Sequence, residues 1–237
     1  MKTQAVVLAG GLATRMRPTT LTIPKSMIEV AGRPFVDHQL ELLARHGYTD
    51  VLLCIGHLGE QVEAHVGDGA RFGLRVGYAY DGPKLLGTWG AVRATLDRLE
   101  PTFLVTYGDS WLPFDYAAPL AMLRAHDDCD GVMSVFENGG QWDASNVVTD
   151  RTWVTRYEKH VKDDAFRFID YGALGLRRDV IARLPAGEAA GLDRLQHELA
   201  KEGRMRAVVA EERFFEIGSP EGLAALEQRL NAGEQRR

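Results

Sequence analysis

A pair of glycines that directly follows an apolar run is the first feature of the sequence that indicates chemistry. The segment carries, in order, Leu8, Ala9, Gly10, Gly11, Thr14 and Arg15. Glycine lets backbone N–H groups approach a ligand closely because it has no Cβ, and successive N–H groups form an anion-binding nest. A threonine hydroxyl and an arginine guanidinium add side-chain donors, and arginine can bind phosphate through two bonds at once. The segment therefore predicts a phosphate-binding loop.

A second positive charge follows in Ile23-Pro24-Lys25. Proline stiffens the backbone before the lysine, so we expect Lys25 to reach the same phosphates. The glycine-rich segment lacks the Gly-Lys-Ser/Thr ending of a P-loop, and its glycine spacing differs from the dinucleotide-binding fingerprint. The alternative is an ordinary tight turn with a surface lysine. The succession of Gly-Gly, Thr-Arg and Pro-Lys favours phosphate binding.

A carboxylate stands at the end of another apolar run. Residues 103–107 lead into Gly108-Asp109. Magnesium prefers hard oxygen ligands and is often held by one or two carboxylates together with substrate phosphates. An aspartate in this position also suits a turn, where it caps the next segment. On the same sheet edge as the glycine-rich loop, Asp109 is the expected ligand of a cation.

Small residues recur where a later strand passes into a helix, in Leu86-Gly87-Thr88. Their size permits a flat nucleobase to lie against the backbone at Gly87 and Thr88. The alternative is a tight helix start with Thr88 as the cap, and both roles are compatible.

These residues need a sheet to bring them to one edge. The expected strands cover 5–9, 51–55, 74–80, 103–107, 131–136, 146–149, 154–158 and 167–176, and the expected helices cover 34–46, 59–66, 88–99, 192–202 and 220–230. The first half alternates strand and helix, which predicts a parallel sheet with helices on both faces. The fold class is therefore α/β, a Rossmann-like mixed and mainly parallel sheet flanked by helices, with a smaller α+β lobe in the second half.

Composition narrows the class of protein. The chain has 237 residues and a formal net charge of −5, without the basic stripe of a nucleic-acid-binding protein. The two cysteines have neither metal-type nor redox-type spacing. No signal sequence or apolar membrane span is present, so we expect a cytoplasmic protein. One domain over 1–237 is expected, with a first half at about 1–115 and a second half at about 116–237.

The glycine-rich segment, with Pro24-Lys25 after it, resembles the signature of the sugar-1-phosphate nucleotidylyltransferases, which have a GT-A-like fold. The resemblance implies that the loop wraps a triphosphate, with Arg15 on the β,γ-phosphates and Lys25 on the α-phosphate. It also makes Asp109 the first Mg²⁺ ligand. This chain departs from the family at Ala13, where a glycine is usual.

Later segments extend the resemblance. The stretch Phe215-Glu216-Ile217 resembles the segment that carries the second metal carboxylate, with Glu216 where the family has aspartate. Glu158 and Lys159 resemble a Glu-Lys-Pro motif, with His160 in place of proline, and imply contacts to a sugar hydroxyl and to the sugar phosphate. Asp170 and Gly172 lie where the family often has an Asn-x-Gly sugar-contacting strand. An exposed ion pair at a strand end is the plainer explanation of Glu158 and Lys159.

The resemblance implies an enzyme that joins a nucleoside triphosphate to a sugar 1-phosphate and releases pyrophosphate. It implies that the half at about 1–115 binds the nucleotide and that the half at about 116–237 binds the sugar. It is closest to short bacterial enzymes that use GTP with heptose or mannose 1-phosphate, in nucleotide-sugar and polysaccharide synthesis. An N-acetylmuramate-1-phosphate uridylyltransferase is the alternative, and a non-catalytic nucleotide-binding regulator is an alternative of another class. A homodimer is compatible with this class. A third alternative is an NAD-binding oxidoreductase, but the sequence lacks the dinucleotide-binding fingerprint of that class.

Overall fold

A computed structural model describes residues 3–11, 16–82, 84–159 and 163–234 of the chain. Its contacts divide the chain into two compact units that interleave in sequence. Unit 1 comprises Met1–Gly82, Tyr107–Leu112 and Phe214–Arg237, and unit 2 comprises Pro83–Thr106 and Pro113–Arg213. The last residues of the chain thus belong to the unit that contains the glycine-rich segment. The single domain with halves meeting near residue 115 stays a prediction.

The described residues form strands and helices in alternation. The strands are β1 Gln4–Ala9, β2 Glu29–Val30, β3 Arg33–Pro34, β4 Asp50–Ile55, β5 Arg75–Tyr80, β6 Thr102–Tyr107, β7 Ser110–Trp111, β8 Gly131–Glu137, β9 Val147–Thr149, β10 Val154–Tyr157, β11 Phe168–Arg177, β12 Met205–Ala210 and β13 Phe215–Glu216. The helices are α1 Phe35–Arg45, α2 Gly59–Val66, α3 Gly87–Arg93, α4 Ala118–Ala125, α5 Arg178–Ile181, α6 Leu192–Lys201 and α7 Pro220–Glu234.

Unit 1 contains the parallel strands that the apolar runs predicted. The order is β1-β4-β5, and the register pairs Ala9 with Ile55 and Ile55 with Tyr80. These strands are apolar almost throughout because parallel strands are usually covered on both faces. Since the strands are in register, the residues that follow their last pairs lie at one sheet edge. Those residues are Gly10, Gly56 and Asp81.

A second layer of unit 1 is built from short elements. β7 pairs antiparallel with β13, so that Glu216 lies opposite Ser110. Ile217 and Leu226 are buried in the same cluster as Phe35. The Ser219 hydroxyl accepts the backbone N–H of Gly222 at 3.1 Å, as expected of a residue that caps the start of α7.

Unit 2 is a mixed sheet with helices. β11 pairs antiparallel with β6 and β8, and β8 pairs in parallel with β12. The strands predicted over 146–149 and 154–158 are confirmed as β9 and β10, which pair antiparallel. The strand β12 and the helix α4 were missed by the sequence analysis.

The helix predicted over 88–99 is shorter than expected. It ends at Arg93, and a 3₁₀ turn follows over Leu96–Arg98. The Thr95 hydroxyl donates to the carbonyl of Val92 at 2.8 Å, and such side-chain bonds compete with the helical backbone pattern. Among the described residues, no helix is both long and apolar enough to cross a membrane.

Candidate active site

The first strand ends beside the turn that carries Asp109. The Gly108 N–H donates to the carbonyl of Leu8 at 2.8 Å. A Cβ on Gly108 would lie 2.7 Å from the Cβ of Ala9, closer than real Cβ atoms come to one another. Glycine at position 108 therefore permits the close approach of the two segments. The predicted phosphate loop and the predicted metal turn are held together by this contact.

The backbone on either side of Asp109 is hydrogen-bonded to the buried side-chain amide of Gln39. Gln39, 1% exposed, donates from Nε2 to the carbonyls of Tyr107 at 2.7 Å and Ser110 at 3.3 Å. The Ile217 N–H donates to the carbonyl of Asp109 at 3.0 Å. The backbone around Asp109 is thus bound on both sides, which pre-orients its carboxylate.

Lys25 and Asp109 form an ion pair. The distance from Lys25 Nζ to Asp109 Oδ2 is 2.5 Å, and the two side chains are 15% and 33% exposed. Pro24 is extended, and Lys25 opens a 3₁₀ turn directly after it. The residue types predicted to meet a triphosphate and its cation are therefore adjacent in the structure. Their catalytic roles stay predictions.

The side chains of Glu216 and Lys25 both lie beside Gly218. A Cβ built on Gly218 would lie 3.2 Å from Lys25 Nζ and 3.9 Å from Glu216 Oε2, so both atoms surround one point. The β7–β13 pairing places Glu216 opposite Ser110, next to Asp109 in sequence. Two carboxylates on adjoining strands are donors that suit Mg²⁺. Among the described residues, no group of three or more histidine, cysteine, aspartate or glutamate side chains could hold a metal ion.

The glycine-rich segment itself is only partly described. Thr14 and Arg15, with Leu12 and Ala13, lie outside the described residues, and their predicted contacts stay predictions. At Gly11, no described atom lies within 4 Å of an added Cβ.

Asp81 is a candidate that the sequence analysis missed. A Cβ on Gly10 would lie 2.3 Å from Asp81 Oδ2, and a Cβ on Gly56 would lie 2.5 Å from the same oxygen. Burial raises the pKa of the Asp81 carboxyl. No described residue forms a hydrogen bond with this carboxylate. The available signal was an aspartate directly after an apolar strand, the same pattern that identified Asp109.

In unit 2, Gly87 and Thr88 form a tight helix start. Gly87 has φ +69°, and a Cβ there would lie 2.6 Å from the carbonyl oxygen of Ala190. The Thr88 hydroxyl accepts the N–H of Leu192, the first residue of α6, at 2.8 Å. The expectation that Thr88 caps its own helix is wrong, because α3 begins one residue earlier, at Gly87. A contact to a nucleobase stays a prediction.

Two of the predicted sugar-binding residues of unit 2, Asp170 and Gly172, lie within one strand irregularity. The β8–β11 register shifts between Asp170 and Leu174. Within this bulge, Asp170 Oδ1 accepts the Gly172 N–H at 3.0 Å, and Oδ2 accepts Nε2 of Gln196 at 2.6 Å. Burial raises the pKa of Asp170, and the nearby charge of Lys159 opposes the shift. Bulges of this kind re-aim side chains and recur next to active sites.

Glu158 and Lys159 follow β10 directly. Glu158 pairs with Arg156 at 3.2 Å, and Lys159 Nζ lies 4.0 Å from Asp193 Oδ1. Both side chains are exposed, and the two ion pairs have different partners. The structure thus brings Lys159 near Asp170, while His160 lies outside the described residues.

The chain belongs to the nucleotidyl transferase family, whose model matches residues 4–142. It is 32% identical over 192 residues to the mannose-1-phosphate guanylyltransferase of Mycobacterium tuberculosis, which covers 80% of this chain. This chain spans only 53% of that relative and 34% of a uridylyltransferase from Synechocystis.

Two further relatives match over nearly their whole length. The N-acetylmuramate alpha-1-phosphate uridylyltransferase of Caulobacter vibrioides is 28% identical, covering 95% of this chain and 96% of the relative. The D-glycero-alpha-D-manno-heptose 1-phosphate guanylyltransferase of Campylobacter jejuni is 27% identical, covering 92% and 96%.

The fold is that of solved nucleotidyltransferases. The inositol-1-phosphate CTP transferase from T. maritima superposes with a TM-score of 0.77 at 19% identity, covering 98% of this chain and 97% of that one. The predicted mixed, mainly parallel sheet flanked by helices is therefore confirmed.

Proposed function

We propose that this chain transfers a nucleotidyl group from a nucleoside triphosphate to a sugar 1-phosphate and releases pyrophosphate. The observation that carries the proposal is the 2.5 Å pair between Lys25 and Asp109, beside the glycines that follow β1. A metal-bound triphosphate requires a cationic side chain for its phosphates and an anionic side chain for its metal ion, and Lys25 and Asp109 supply these two charges. The comparisons support the class of reaction.

The chemistry needs little from the protein beyond positioning and charge. An oxygen of the sugar phosphate is already anionic, so it attacks the α-phosphorus without a general base, and the bond to the β-phosphate oxygen breaks. Asp109 and Glu216 are the residues that would hold Mg²⁺, which offsets charge on the phosphates when bound. Lys25 is positioned to exchange its carboxylate partner for the α-phosphate, and Arg15 is proposed to bind the leaving β,γ-phosphates.

GTP is the proposed nucleotide, and Asp81 supports this choice. A carboxylate offers two acceptors side by side, and guanine presents the N1–H and N2–H donors side by side. Uracil and thymine present one N–H between two carbonyl oxygens, which a carboxylate repels. A good bidentate pair discriminates between bases by about 1–3 kcal/mol. Gly10 and Gly56 leave the space that the carboxylate needs at this strand edge.

Heptose or mannose 1-phosphate is the proposed acceptor. Lys159 is assigned to the sugar phosphate, and Glu158, Asp170 and Gly172 are assigned to the sugar hydroxyls. The muramate-specific uridylyltransferase stays the alternative, because one such relative matches the chain over nearly its full length. A cytoplasmic location and a homodimer are proposed with the enzyme.

The test is a matrix of four nucleoside triphosphates against a panel of sugar 1-phosphates, with pyrophosphate release as the readout. We expect release with GTP and mannose or heptose 1-phosphate in the presence of Mg²⁺, and none with a chelator. Release with UTP and N-acetylmuramate 1-phosphate alone would establish the alternative. Nucleotide binding without release from any pair would refute catalysis and leave a regulator.

A further inference from the structure

Asn146 connects the two segments predicted to bind the sugar. It precedes β9, and its N–H donates to the carbonyl of Phe168 at 2.9 Å. The Glu158 N–H donates to the backbone carbonyl of Asn146 at 3.0 Å, and the Asp170 N–H donates to Asn146 Oδ1 at 2.8 Å. Asn146 therefore bonds to the backbone of both residues whose carboxylates are the candidate sugar ligands.

The orientation of the Asn146 amide is decided by this bonding. A backbone N–H can only donate, so the side-chain atom that faces Asp170 must be the oxygen. The amide nitrogen then points away from the Asp170 N–H with both of its hydrogens available. Within the part of the chain that the structure describes, Nδ2 has no hydrogen-bond partner, and the side chain is only partly buried.

The neighbouring acceptors supply the other half of a recognition pattern. The Asp170 carboxylate accepts from Gly172 and Gln196, which leaves two of about four lone-pair positions open. A sugar hydroxyl is both donor and acceptor, so neighbouring hydroxyls can donate to a carboxylate and accept from an amide. Asn146 and Asp170 are joined by a hydrogen bond, so a donor on the first residue and an acceptor on the second match two adjacent hydroxyls of a sugar.

We propose that Asn146 binds the sugar substrate, with Nδ2 donating to one hydroxyl while Asp170 accepts from a neighbouring hydroxyl. This inference rests on the proposed function, and it adds a residue that the resemblance did not supply. The purely structural alternative is that Asn146 only satisfies the Asp170 N–H at the edge of β11. The two roles use different atoms of one side chain, so they can be separated by substitution.

The experiment compares Asn146→Asp with Asn146→Ala. Aspartate keeps an acceptor for the Asp170 N–H but removes both amide donors, whereas alanine removes the acceptor as well. We expect both variants to raise KM for mannose 1-phosphate by about 5- to 20-fold, leaving KM for the nucleotide unchanged. Only the alanine variant is expected to lower the melting temperature. Wild-type KM for mannose 1-phosphate in Asn146→Asp would overturn the proposal.

Added negative charge is the main confounding effect, and two controls address it. Asn231→Asp makes the same charge change on the exposed face of α7 and is expected to leave KM unchanged. Raising ionic strength from 0.1 M to 1 M shortens the Debye length from about 10 Å to about 3 Å, which weakens repulsion but not a lost hydrogen bond. A rise in KM that disappears in 1 M salt would overturn the proposal.

Monodeoxy derivatives of mannose 1-phosphate identify the partner hydroxyl without depending on any variant's stability. Removing the partner hydroxyl should weaken binding of the sugar to the wild type. The same removal should cause no further loss in Asn146→Asp, which already lacks the donor. Equal further losses with every derivative would overturn the assignment. A wild type that turns over no sugar 1-phosphate refutes the proposed function itself, whereas an active wild type with an indifferent Asn146 refutes only this inference.

Discussion

The ion pair between Lys25 and Asp109 gives a prediction that separates stability from catalysis. Two unit charges 2.5 Å apart attract by on the order of 7 kcal/mol at an effective dielectric constant of about 20. Desolvation cancels most of this attraction, and Asp109 is one-third exposed, so we expect a net coupling of about 1–2 kcal/mol.

The perturbation is a double-mutant cycle of Lys25→Met and Asp109→Asn. Each single variant leaves one charge without its partner, whereas the double variant removes both charges. We therefore expect the double variant to lose less free energy of unfolding than the sum of the losses in the two single variants. Pyrophosphate release should fall about 100- to 1,000-fold in all three variants, because catalysis needs both charges.

The two measurements are urea unfolding and pyrophosphate release with GTP and Mg²⁺. Strictly additive unfolding energies would show that the pair carries no coupling. Wild-type release by Asp109→Asn would remove the metal assignment, since an amide cannot replace a carboxylate charge. Recovery of release in the double variant would refute the argument that the two charges act on different parts of the substrate.

Four further predictions follow from contacts at the two sites. Gly10→Ala should lower the free energy of unfolding in urea by about 1–3 kcal/mol, because the added Cβ would collide with the Asp81 carboxylate. Gly11→Ala should lower it by less, because no described atom lies within 4 Å of an added Cβ there. Asp81→Asn should raise KM for GTP about 10- to 100-fold, narrowing the preference over UTP. Because burial raises the pKa of Asp81 in the folded state, the wild type should lose stability as pH rises from the unfolded pKa through the folded one, and Asp81→Asn should lose less. Gln196→Leu should lower the free energy of unfolding by about 1–3 kcal/mol, because Asp170 loses a hydrogen-bond donor. The same loss should raise the pKa of Asp170 further.

Each of these substitutions has a result that contradicts the expectation. Equal stability of the two alanine variants would show that Asp81 moves freely away from Gly10. An unchanged GTP-to-UTP preference in Asp81→Asn would place base selection elsewhere. Wild-type stability of Gln196→Leu would mean that the buried carboxylate has other donors.

Local signals were sufficient for the parts of the site that lie near each other in sequence or follow a strand directly. The apolar runs located β1, β4 and β6, and the rule that strand ends share an edge predicted that Asp109 lies beside the glycine-rich segment. These predictions needed only hydrophobic periodicity and the position of polar residues after it.

The rest depended on contacts that no local pattern contains. Gln196 meets Asp170 only because α6 packs against β10 and β12. Asn146 precedes a short strand in a segment with no motif, and its role is visible only through the bonds to Glu158 and Asp170. Asp81 carried the same signal as Asp109, but no family segment drew attention to it.

The pairing of β7 with β13 has a consequence for how the protein is made. Asp109 receives its hydrogen bond from Ile217, and Glu216 lies beside the same turn. During synthesis the ribosome delivers Lys25 and Asp109 long before Ile217, so the nascent chain carries an uncapped, incomplete charge cluster while unit 2 emerges. Unit 1 is thus the first unit whose synthesis begins, but it can complete its folding only after residues 214–237 have been made. Dependence on chaperones should be greatest between these two points of synthesis.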